Sequence, residues 1–113
     1  MERITDLTFL TAFTGGNSEK MKKYIRMFVT SCPEQLLKMK ELLESGNYDG
    51  LKAVAHGLKP QITYMGIKAG EAPINQIEEY SASKTNLQQL PGLFDEFNNH
   101  CKLAIDELSK ELA

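Results

Sequence analysis

An all-α fold is what this sequence predicts, arranged as an antiparallel up-down-up-down four-helix bundle with a short additional N-terminal helix. Three observations point there. Apolar residues recur at every third or fourth position along nearly the whole chain. No run rich in Val, Ile and Thr with a period of two is bounded by hairpin turns. The stretches between periodic segments are short, which makes successive helices antiparallel neighbours. With 113 residues, 42% hydrophobic and 25% charged, the chain suits one domain over 1–113 with a core of its own.

The first helix is expected over 6–13, capped by Thr5 or Asp6 and closed by Gly15 and Gly16. A long second helix starts at Asn17 or Ser18 and runs to Ser45, with Gly46 as its stop. Met21, Ile25, Phe28, Cys32, Leu36, Met39 and Leu43 give it a single apolar stripe. Pro33 cannot donate to the carbonyl of Val29, so a mild kink is expected there and not a break, because the stripe continues in phase beyond it.

Asn47 caps a third helix that reaches Met65, where Gly66 followed by Ile67 predicts a Schellman ending with Ile67 folded back on Ile62. The fourth helix is expected over about 71–83. A fifth begins near Asn86, takes Pro91 into its first turns and continues to the end of "LFDEFNNHCKLAIDELSKEL".

Several function classes are disfavoured. A formal charge of −2 and a pI near 5.7 provide no basic field, so no nucleic-acid partner is expected. No stretch approaches the ~20 apolar residues that cross a bilayer, and the start "MERITDLTFL" lacks the pattern of a signal peptide, so a cytoplasmic chain without a membrane partner is expected. Cys32 and Cys101 lie in separate helices without metal-site or redox spacing and are read as buried free thiols, with no metal site and no cofactor. Gly-rich phosphate loops, kinase ATP-binding motifs and catalytic-nucleophile patterns are missing, so the chain is not expected to be an enzyme.

The third helix carries the chemistry. On a wheel of about 100° per residue with Leu51 at zero, Val54, Ala55, Leu58, Ile62 and Met65 fall within about 60° and form the buried face. His56 falls at about 140°, on an outer side with Lys52, Lys59, Pro60, Thr63 and Ile67. Lys52 at i−4 and Lys59 at i+3 set positive charge where an anion attached to the ring would meet it, which suits a phosphoryl acceptor. His100, in "FNNHCK", has no such surroundings and is read as a rim histidine.

The stretch "AHGLKPQITYMG" resembles the signature of histidine phosphotransfer (HPt) domains, an H-x-L-K pair with a glycine ten residues after the histidine. His56, Leu58, Lys59 and Gly66 carry that match. The likeness extends to "DLTFL" and the Gly-Gly pair before a long helix, to a proline within that helix, and to the turn "SGNYDGLKAVAH".

The resemblance implies a four-helix bundle that takes a phosphoryl group from a response-regulator receiver domain, and so from a hybrid sensor histidine kinase, and passes it to another receiver. His56 is then the phosphoacceptor, Lys59 its charge partner and Gly66 a structural stop. It implies no metal in this chain, because the family's magnesium sits in the receiver. Family members often hold the imidazole through a polar residue of the next helix, for which Gln76 and Glu78 are both candidates. Pro60 departs from the glycine that many members carry four residues after the histidine. Its ring frees the His56 carbonyl and is expected to tilt the acceptor turn. Around the acceptor, Lys52, Pro60, Thr63, Gly66, Phe13 and Tyr24 are expected to contribute to partner binding, with the protein acting as a monomer. A rival reading from another class is a helical adaptor that binds a signalling partner without being phosphorylated.

Overall fold

In a computed structural model, residues 3–112 are described. Among the described residues there are five α-helices: α1 (Thr8–Phe13), α2 (Ser18–Glu44), α3 (Tyr48–Tyr64), α4 (Lys68–Ser83) and α5 (Leu90–Glu111), the last preceded by a 3-10 turn at Leu87–Gln89. Among the four long helices, α3 packs on α2 and α4, and α5 packs on α4 and α2, so they close a ring around one core.

Core composition follows from the periodic stripes. Helix α2 buries Ile25, Phe28, Cys32, Leu36 and Met39, and α3 buries Leu51, Ala55, Leu58 and Ile62. Phe94, Phe97 and Cys101 of α5 meet them from across the bundle. Cys32 and Cys101 are buried free thiols. Contact with the Cys32 thiol, and then burial, pushes the Cys101 thiol above its ordinary range.

Helix ends obey local chemistry. Asn47 accepts from the Gly50 amide and opens α3. At its far end the Ile67 amide donates to the Ile62 carbonyl and the Gly66 amide to the Thr63 carbonyl, with Gly66 at φ +63°, which is the Schellman pattern.

Four boundaries and faces differ from the sequence expectation, and the first is the start of α5, which lies at Leu90 and not near Asn86 because Asn86 is left-handed (φ +52°) and leads into the 3-10 turn. Helix α1 starts at Thr8, after Asp6, because the Asp6 carboxylate accepts from the Thr8 amide and hydroxyl outside the helix, while Thr5 is drawn to Glu107 on α5. Helix α4 starts at Lys68, before residue 71, because the left-handed Gly66 turns the chain directly into it. Ile67, expected on the outer side with His56, is fully buried. The reversal at Gly66 ends the helical phase on which that placement relied. Pro33 and Pro60 both lie inside continuous helices.

Candidate functional site

His56 follows the buried Ala55 and so leaves the core face of α3, with its side chain 76% exposed. Across the groove between α3 and α4, Glu78 is only 20% exposed and brings Oε2 to 3.1 Å and Oε1 to 3.4 Å from His56 Nδ1. Lys59 Nζ lies 3.5 Å from Glu78 Oε1. One carboxylate therefore serves both the imidazole and the ammonium group.

An ionised carboxylate only accepts hydrogen bonds, so Nδ1 of a neutral His56 carries the proton and donates it to Glu78. The lone pair is left on Nε2, on the edge of the ring turned away from Glu78. Such an arrangement offers a nucleophilic nitrogen to solvent and orients it through the opposite nitrogen.

Other expected site residues fall into two groups. Lys52, Pro60 and Thr63 are exposed on α3 within two turns of His56, and the Thr63 hydroxyl donates to the Lys59 carbonyl at 3.3 Å. Pro60 has no amide to give the His56 carbonyl. Phe13 and Tyr24 belong to an aromatic cluster set off from the imidazole. Phe13 meets Tyr24 edge-on at 5.6 Å and Tyr64 face-on at 6.1 Å, while Phe9 stacks on Tyr64 at 5.2 Å. Phe9, Phe13 and Tyr64 all keep 41% or more of their surface exposed. Tyr64 is eight residues beyond His56, which puts it about 12 Å further along the same helix.

Gly66 stands apart from both groups: its α-carbon faces the backbone of Asp6, whose amide donates to the Met65 carbonyl at 3.3 Å. His100 is half-buried on α5 and lines a cleft with Arg3, Thr5 and Gly66. Sequence reasoning missed the Glu78–Lys59 pair and the place of Tyr64 in the aromatic cluster. Opposite charges on two successive helices were the only available signal for the first. For the second, Tyr64 occupies the last position of α3, on the side away from the buried Leu58 and Ile62.

The ring of helices presents an exposed imidazole held by a carboxylate, with Lys52 and Lys59 on the same helix. The family model for the Hpt domain matches residues 23–111, and the chain belongs to that family. Hpt domains are phosphocarriers in histidine phosphotransfer relays, where they interact with receiver domains and kinases. Searches of curated proteins and of solved structures gave no match. Among the described residues, no helix is long and apolar enough to cross a membrane.

Proposed function

We propose that residues 1–113 form one HPt domain, an antiparallel up-down-up-down four-helix bundle with a short leading helix, acting as a cytoplasmic, monomeric phosphocarrier. It accepts a phosphoryl group on His56 from the aspartyl phosphate of a receiver, loaded by a hybrid sensor histidine kinase, and passes it to a second receiver. The observation that carries this reading is the exposed His56 ring whose Nδ1 is engaged by Glu78, leaving Nε2 unencumbered.

In the transfer, the Nε2 lone pair forms the new bond to phosphorus while the bond from phosphorus to the aspartyl oxygen breaks, returning a free carboxylate to the donor. The proton on Nδ1 stays where it is. Lys59 and Lys52 offset the incoming negative charge, and catalysis rests on positioning, with the receiver supplying the metal. Pro60 and Thr63 border the acceptor turn, and the patch of Phe13, Phe9, Tyr24 and Tyr64 supplies apolar docking surface. Gly66 shapes the end of α3 and contributes to binding only through that turn.

Incubation with a phosphorylated receiver tests the proposal. Label should move to this chain, be acid-labile, and vanish in His56→Gln while the helical content is kept. Acid-stable label, or label that persists in that variant, overturns it. The exposed aromatic cluster also favours a second reading, a non-phosphorylated adaptor. In that case partner binding would survive His56→Gln and no label would move.

A further inference from the structure

We infer that the Glu78 carboxylate, shared between His56 and Lys59, sets how readily this protein gives up its phosphoryl group, making it a forwarding carrier and not a store. The inference rests on His56 being the acceptor, as proposed above.

Glu78 is a single carboxylate with two claims on it: His56 Nδ1 at 3.1 Å and Lys59 Nζ at 3.5 Å. It is fixed beneath the ring at 20% exposure, whereas the ring is 76% exposed. A phosphoryl group on Nε2 brings further negative charge to the far edge of the same ring. Lys59 is then attracted to two anions at once, and whichever it joins leaves the other less compensated. With the proton kept on Nδ1 the phosphorylated ring is an imidazolium cation, the labile form of a phosphohistidine, and the Glu78 carboxylate beside it favours that form over the neutral ring that would hold the phosphoryl group longer.

Proton placement works in the same direction. Attack by Nε2 leaves the proton on Nδ1, where Glu78 accepts its hydrogen bond and keeps it in place. When the phosphorus–nitrogen bond later breaks, the electron pair returns to Nε2 and the ring departs as neutral imidazole. A ring that had lost the Nδ1 proton would have to depart as an anion, a far poorer leaving group. Glu78 is thus a positioning residue whose charge, beyond its hydrogen bond, promotes release.

The test loads His56 with potassium phosphoramidate, which needs no receiver, in a His100→Gln background that leaves one histidine. In loading, the phosphorus–nitrogen bond of phosphoramidate breaks, ammonia leaves, and phosphorus bonds to Nε2. Glu78→Gln keeps a carbonyl oxygen to accept from Nδ1 but removes the charge, and Glu78→Ala removes both. The phosphohistidine half-life at pH 7.5 (about neutral, where carboxylates are ionised) should lengthen about five-fold in Glu78→Gln. Lys59→Ala should shorten it in the parent by about three-fold and have a smaller effect once Glu78 is Gln. Loading should slow in Glu78→Ala and recover in Glu78→Gln, because the ring is held again.

A half-life in Glu78→Gln equal to or shorter than the parent's overturns the inference, as does lengthening seen only in Glu78→Ala, which would assign the effect to the hydrogen bond. The functional proposal fails separately: its failure appears as a chemically phosphorylated His56 that no receiver loads or unloads, with the difference in half-life intact.

Discussion

A methyl group on Gly66 would lie 2.0 Å from the carbonyl oxygen of Asp6. The N-terminal segment crosses the end of α3 at van der Waals distance from a bare α-carbon, and Gly66 itself holds φ +63°. Gly66→Ala is expected to lose at least ~2 kcal/mol, combining the left-handed penalty of about 1–2 kcal/mol with displacement of the Asp6 backbone. Gly46 provides the control, since at φ +71° it has open space around its α-carbon. Gly46→Ala should lose only ~1 kcal/mol. Equal urea midpoints for the two variants would show that the Asp6 crossing costs nothing to move.

Glu107 on α5 anchors the same segment. Its carboxylate accepts from the Ile4 amide at 2.9 Å, the Thr5 amide at 3.1 Å, the Thr5 hydroxyl and Arg3 Nε at 3.0 Å. Desolvation alone would raise its pKa, but the Thr5 hydroxyl, the two amides and Arg3 together outweigh it and bring it down from 4.5 to about 2. A depressed folded value means stability present above pH 4.5 and lost as pH falls toward 2. Melts of the wild type and Glu107→Gln should differ by ~1–2 kcal/mol at neutral pH, with screening reducing the full linkage value, and converge near the lower limit. A gap that does not change with pH would refute the anchoring role of the charge.

Replacing Pro60 by Ala supplies the missing amide to the His56 carbonyl. Stability should rise, by up to ~3 kcal/mol if the helix bears the full cost of an interior proline. Phosphotransfer should slow nonetheless, because a ~1 Å displacement of the reacting ring can cost ~100-fold in rate. Single-turnover transfer from a phosphorylated receiver measures the second effect. An unchanged rate would mean that the proline has no part in placing His56.

Ser81 on α4 is fully buried, and its hydroxyl has no hydrogen-bond partner among the described residues. Ser81→Ala removes an unsatisfied polar atom and should stabilise the fold by ~1 kcal/mol. Chemical denaturation with an unchanged slope and a higher midpoint is the expected result. A lower midpoint would show that the hydroxyl is bonded in solution.

Phe13 is 59% exposed yet stacks with Tyr64. Phe13→Ala should cost under ~1 kcal/mol in stability but weaken binding to a cognate receiver about ten-fold, as loss of an aromatic anchor does. Calorimetric titration against the receiver measures this, and unchanged affinity would remove the aromatic cluster from the docking surface.

Much of this protein is a matter of short-range pattern, and so legible in the chain. The stripe from Ile25 to Met39 had to be buried because residues three and four apart share a helix face. Asn47 and Gly66 mark the ends of α3 because an amide side chain and a missing β-carbon each answer a need within a few residues. His56 had to leave the core because Ala55 and Leu58 enter it.

Tertiary structure alone decided what joins residues far apart. Gln76 and Glu78 flank the buried Ile77, and although Glu78, four residues after the buried Ile74, lies nearer the buried stripe, helical periodicity does not say which partner either one meets. Only the packing of α3 against α4 brings Glu78 to His56 and Lys59. Thr5 and Glu107 are separated by 102 positions, and no local rule relates them. Ile67 is buried because the chain reverses at Gly66, where a helical wheel ceases to apply. Side-chain periodicity and capping act over one or two turns and are written in neighbouring residues. Which carboxylate reaches which partner depends on the relative placement of whole helices, which the complete core sets at once.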